Sequence, residues 1–154
     1  MSTWKEAIRE GLVSGSLASL LSSAYLAAAG QLRGHPAAPV NAVSHWVFGD
    51  RALAQDDPSF KYTAIGYLTH HAAGVFWGVL HAKAWGARPG AKTPLAAAAG
   101  AAAAAGVAAF VDYELTPKRL TPGFEHRLAK PEMTAVYAFF ALGLMAGTLL
   151  MKKR

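Results

Sequence analysis

The sequence has no cysteine. Disulfides, thiolate metal ligation and thiol catalysis are therefore excluded, and the redox compartment stays unread. Charge is also scarce. Asp, Glu, Lys and Arg make up 16 % of the 154 residues, where a soluble domain carries about 25 %. The scarcity is concentrated: Gly11–Gly30, Tyr62–Ala82, Thr93–Val111 and Met133–Met151 contain none of the four. The familiar catalytic spacings are missing too, with no H-E-x-x-H, G-x-S-x-G, Walker or G-x-G-x-x-G motif. No Glu stands three residues before a His, so the di-iron pair of carboxylate bundles is absent as well.

What is present is apolar length. Apolar residues form 53 % of the chain, and ~20 helical residues cross the ~30 Å hydrocarbon core of a bilayer. The four uncharged runs predict an all-α, four-helix transmembrane bundle in a single integral-membrane domain, with helices at 3–31, 58–85, 94–114 and 131–152. The net charge of +6 does not point to nucleic acid. The basic residues sit at the ends of apolar runs and form no basic face.

Local signals mark the helix starts. Thr3-Trp4-Lys5-Glu6 reads as a capping box. Asp57-Pro58 and Thr93-Pro94 each place an N-cap before a proline at the first helical position. Pro131 and Glu132 suit the first turn of the last helix and its dipole. Lys5, Arg9 and Ala27-Ala28-Ala29 mimic a signal peptide. However, Glu6 and Glu10 cancel the positive charge and the apolar run is too long for an h-region, so a retained helix is expected. In the long first link, Val40–Leu53 carries a short apolar face and reads as an interfacial helix anchored by Trp46. A segment tucked over the bundle is the alternative.

If all four helices span, the N-terminus, the link Trp85–Lys92 and the C-terminus share a side. That side carries Lys5, Arg9, Lys83, Arg88, Lys92, Lys152, Lys153 and Arg154; the other carries Arg33, Arg51, Lys61, Lys118, Arg119, Arg127 and Lys130. The slight basic excess and the C-terminal cluster place both termini in the cytoplasm.

Small residues predict the packing. Gly11, Gly15, Ser19, Ser23 and Ala27 recur every four residues. Gly66, Gly74 and Gly78 do so in the second run, Gly143 and Gly147 form a G-x-x-x-G, and the third run is nearly pure Ala and Gly. In lipid such stripes let backbones approach. A stripe left on the outside would mark a homo-oligomer or a membrane-protein partner.

His70 occupies the vacant place of the second stripe, which directs it toward other helices, with Ser19, Ser23 and Tyr25 as expected partners. An ionisable group within a span is a functional candidate, although a neutral, hydrogen-bonded histidine is the plainer reading. His81 shares its azimuth to within about 20° but lies about 16 Å along the axis, so the two cannot bind one metal ion; His71 points about 100° away. Haem or metal ligation would need a second ligand such as His45, His35 or His126 from a link. Asp112 and Tyr113 end the third run and could line a vestibule. The link beyond them repeats Leu-Thr-Pro (Leu115-Thr116-Pro117, Leu120-Thr121-Pro122). It reads as a surface turn in which Asp112, Glu114 and Glu125 pair with Lys118, Arg119 and Arg127, with a type II turn at Pro122-Gly123. A lid, partner-docking or anion site at Lys118, Arg119 and Glu125 is the functional alternative.

A glycine-rich first helix, a long first link, a His-bearing second helix and a third helix ending in Leu-Thr-Pro together resemble small, uncharacterised bacterial inner-membrane proteins of the YagU type. The resemblance covers the order of elements. It implies four spans and a plasma-membrane location, and it carries no functional residue. Three readings follow: an accessory role in a membrane complex, a small transporter or proton conductor using His70, and a haem- or metal-binding redox protein. An enzyme acting on lipid ranks last, because no nucleophile and base can be paired.

Overall fold

The computed structural model describes residues 2–151. Lys152, Lys153 and Arg154, on which the expected orientation partly rests, lie outside the described residues. Those residues are helical with no strand. The elements are α1 Trp4–Gln31, α2 Ala38–Val43, α3 His45–Phe48, α4 Ile65–His81, α5 Pro94–Phe110 and α6 Lys130–Leu150. Wide π-helical turns extend α4 at both ends, Phe60–Ala64 and Ala82–Gly86, and extend α5 through Val111–Leu115.

The helix starts follow local chemistry. The Thr3 hydroxyl accepts from the Glu6 N–H at 3.2 Å, and the Glu6 carboxylate accepts from the Thr3 N–H at 2.9 Å, which completes the capping box. Thr93 caps α5 by accepting from the Ala96 N–H. The second run departs from expectation. Its cap is Ser59, which accepts from the Tyr62 N–H at 3.0 Å, and not Asp57. A serine in extended conformation directly before the first wide turn presents its hydroxyl where Asp57, two residues earlier, cannot.

Three helices are long and apolar enough to cross a membrane: Trp4–Gln31, Pro94–Leu115 and Lys130–Leu150. They mark a membrane protein. The second run does not join them. Its α-helix proper has 17 residues, and its histidines, threonines and tyrosines dilute its hydropathy.

The described residues divide into two compact units, residues 2–22, 71–108 and 137–151, and residues 23–70 and 109–136. In the first, glycines bring backbones into contact. A Cβ on Gly15 would lie 2.5 Å from the Gly74 carbonyl oxygen, and one on Gly143 2.3 Å from the Ala18 Cα. The stripes of α1, α4 and α6 are therefore packing surfaces. Ala18, Ala101, Ala105, Phe140 and Leu144 form the apolar core of this unit. Outward-facing residues are apolar as well: Leu12, Leu20, Phe76, Val107 and Leu142 are all exposed, while Ser14, Ser19 and Thr148 are fully buried. Small hydroxyl residues buried at helix contacts, with large apolar side chains facing outward, is the pattern of a lipid-facing bundle.

In the second unit, the helix expected over Val40–Leu53 is three short pieces: α2, α3 and a 3₁₀ turn at Gly49–Ala54. Every residue of α2 is buried. Asn41 ties this segment down, donating to the carbonyls of Gln55 and Asp57 and accepting from the Thr63 hydroxyl. The anchor Trp46 donates its indole N–H to the Thr121 carbonyl at 2.8 Å.

Candidate functional site

The densest buried polar chemistry lies in the first unit. Glu10, the last residue before the first uncharged run, is 4 % exposed, and His81, the last residue of α4, is 3 % exposed. Lys92 reaches Glu10 to form a buried ion pair and donates a second bond to the Thr148 carbonyl at 3.1 Å. Gly86 is the point on which the cluster converges. A Cβ there would lie 2.6 Å from Glu10 Oε1, 3.0 Å from His81 Cε1 and 3.0 Å from Thr148 Oγ1. Only glycine leaves room for all three.

The ion pair satisfies half of the cluster. Glu10 Oε1, both ring nitrogens of His81, Thr148 Oγ1 and Ser14 Oγ are buried with no hydrogen-bond partner among the described residues. A buried polar atom left without a partner costs about 1–3 kcal/mol, which singles this cluster out as the candidate site. Two cavities border the cluster, one lined by Glu10 and the other by His81. Glu10 lines a cleft of about 870 Å³ together with Arg9, Arg88, Lys92 and Leu150. His81 lines an apolar groove of about 460 Å³ between α4 and α5. The carboxylate and the imidazole thus stand between a charged cleft and an apolar groove.

No family model, characterised protein or solved structure matches this chain. Its site is therefore read from its own geometry.

Of the residues singled out from the sequence, His81 alone belongs to this cluster. His71 lies in the same unit, with Nδ1 3.2 Å from the Ser19 hydroxyl and Nε2 3.4 Å from that of Ser16. The serine expected beside His70 is thus bonded to His71. His70 lies in the second unit, edge-on to Phe124 at 6.4 Å between ring centroids. His45 is buried there, its Nδ1 on the Ala42 carbonyl at 2.9 Å and its Nε2 without a partner. Among the described residues, no three His, Asp or Glu side chains converge as a metal ion would require.

The Leu-Thr-Pro link is closed differently from the expected ion pairs. Arg119 donates to the carbonyls of His45 and Trp46, at 2.6 and 3.1 Å. Arg127 pairs with Asp56 and donates to the Leu53 carbonyl. Glu125 accepts from the Gly123 N–H at 2.6 Å. A carbonyl oxygen has two lone pairs, so that of His45 accepts from Arg119 as well as from the Gly49 N–H that caps α3, and a guanidinium carries enough donors to take two carbonyls. Gly123 has φ 98°, as the third position of a type II turn needs. Lys118 is exposed, and Asp112 and Tyr113 sit half-buried in the wide turn ending the third run.

Sequence reasoning missed Glu10, Lys92, Thr148 and Gly86. One signal was available. Glu10, Ser14, Ala18 and Ser22 recur every four residues beside the glycine stripe, and all four are buried. A carboxylate in register with buried serines reads as an inward residue.

Proposed function

We propose that this is a small multi-pass protein of the bacterial inner membrane, with four spans and both termini in the cytoplasm, that moves protons or a small proton-coupled solute through the Glu10–His81 site. α4 with its wide turns, Phe60–Gly86, supplies the fourth span. Its lower hydropathy comes from its histidines and hydroxyl residues, of which His81 is buried and the others are half-buried. One observation carries the reading: a carboxylate, an imidazole and an ammonium are buried together beside a cleft, with the Glu10 and His81 atoms that exchange protons left unbonded. Glutamate and histidine are the groups that relay protons within membranes. This replaces His70 as the first residue to test.

Proton flux into sealed vesicles containing the purified protein is the test. His81→Leu and Glu10→Gln are each expected to lower the flux about tenfold or more, with helicity unchanged by circular dichroism. Wild-type flux equal to that of empty vesicles would end the proposal.

An accessory role is the second reading, favoured by α5. Ala99, Ala102, Ala103 and Gly106 are exposed on one side of it, and a Cβ on Gly106 would meet nothing within 4 Å. A smooth, unoccupied small-residue face suits a second helix. It predicts an assembly larger than one 16.1 kDa chain in mild detergent, reduced to the monomer by Gly106→Leu. A wild-type monomer would contradict it.

A further inference from the structure

We propose that the groove between α4 and α5 binds a membrane-soluble molecule with a flat hydrogen-bonding head, of the quinone class, with His81 as its polar contact. The walls argue for the head. Trp77 and Trp85 supply two indoles, and the floor is Ala99, Gly100, Ala103 and Ala104. Trp85 is held as a fixed wall. Its N–H donates to the Ala96 carbonyl at 2.9 Å, and its ring lies so close to Gly100 that a Cβ there would sit 2.1 Å from Cδ1. Flat aromatic walls over a smooth floor favour a planar ring. A groove of about 460 Å³ falls within the size range of small-molecule sites, which pair apolar walls with a few fixed polar groups.

The polar group here is unusual. His81 is the one titratable side chain in the lining, it is 3 % exposed, and neither ring nitrogen has a partner among the described residues. A saturated acyl chain would fill the groove and leave both nitrogens as they are. A carbonyl or hydroxyl on a ring gives one of them a bond. Beside His81 the lining offers one further polar group, the Trp77 indole N–H, because the Trp85 N–H is already engaged, so a small polar solute finds few anchors and a ring with two oxygens can use both. Glu10 and Lys92 line the charged cleft and not the groove.

This assignment shares with the proposed function the reading of His81 as a working residue, but its test uses no flux. The probe is decylubiquinone, titrated against the full chain in detergent micelles and followed by equilibrium dialysis, with a saturated decyl chain lacking the ring as competitor. Wild type is expected to bind one equivalent saturably. His81→Phe is expected to weaken binding about tenfold, the loss of one good hydrogen bond. Ala103→Phe, at an exposed helix position, is expected to fill the groove and abolish binding with the fold intact. Binding no greater than partition into empty micelles, equal competition by the decyl chain, or an unaffected Ala103→Phe variant would each overturn the proposal. Undiminished binding by His81→Phe would remove His81 from it and overturn it equally. Saturable binding without proton flux would leave the groove standing and end the transport reading; flux without binding would do the reverse.

Discussion

At the scale of single residues, the Glu10–Lys92 pair decides the most. The side chains are 5 % and 12 % exposed, so each charge is largely withdrawn from water and depends on the other. Removing one partner of such a pair costs about 3–5 kcal/mol, whereas replacing both with apolar groups is often neutral. Lys92→Met is therefore expected to destabilise the protein by an amount in that range, and Glu10→Leu with Lys92→Met to recover most of it, as read by unfolding in mixed micelles. Equal stability of wild type and Lys92→Met would show that the pair is not buried in solution. Gly86→Ala is expected to disturb the same cluster, since its methyl would sit 2.6 Å from Glu10 Oε1. It should lower proton flux while leaving the capping box of Thr3 and Glu6 intact. That box was legible in the sequence because its partners are three residues apart. The partner of Glu10 was not, because Lys92 comes from a link 82 residues away.

At the scale of elements, α1 carries two stripes. Gly11, Gly15 and Ser19 meet the backbone and small residues of α4, and Ser14 and Ala18 meet the glycines of α6. The every-fourth-residue spacing is plain in the amino-acid order, and so are the helix positions to within a few residues. Which stripe faces which is not, because in lipid nothing in one helix's sequence names its neighbour. Gly143→Val is expected to cost about 1–3 kcal/mol through overpacking, since its Cβ would fall 2.3 Å from Ala18 Cα. Gly106→Ala, facing open space, should cost nothing measurable in the same unfolding assay. Equal effects at the two glycines would contradict this packing. The first link shows a different limit. Its apolar residues are visible in the sequence, but their burial depends on Asn41 bonding to carbonyls 14 and 16 residues on, and on Arg119 reaching back 74 residues to His45. Arg119→Lys, which replaces two separate guanidinium nitrogens by a single ammonium, is expected to speed proteolysis of the Leu-Thr-Pro link. An unchanged cleavage rate would show that those two bonds do not hold it.

At the scale of the whole molecule, the central claim is that a polar site lies inside a membrane protein whose second run is also a span. The absence of cysteine makes this directly testable, because a single introduced cysteine has no background. Arg88 lines the cleft, and Phe76 is exposed in the middle of α4. The measurement is labelling of Arg88→Cys and Phe76→Cys by a membrane-impermeant maleimide, on sealed vesicles of each orientation and again after denaturation. Arg88→Cys is expected to react from the cytoplasmic side only, and Phe76→Cys from neither side until the protein is denatured. Labelling of Phe76→Cys in sealed vesicles as fast as Arg88→Cys would place α4 in water and contradict the central claim.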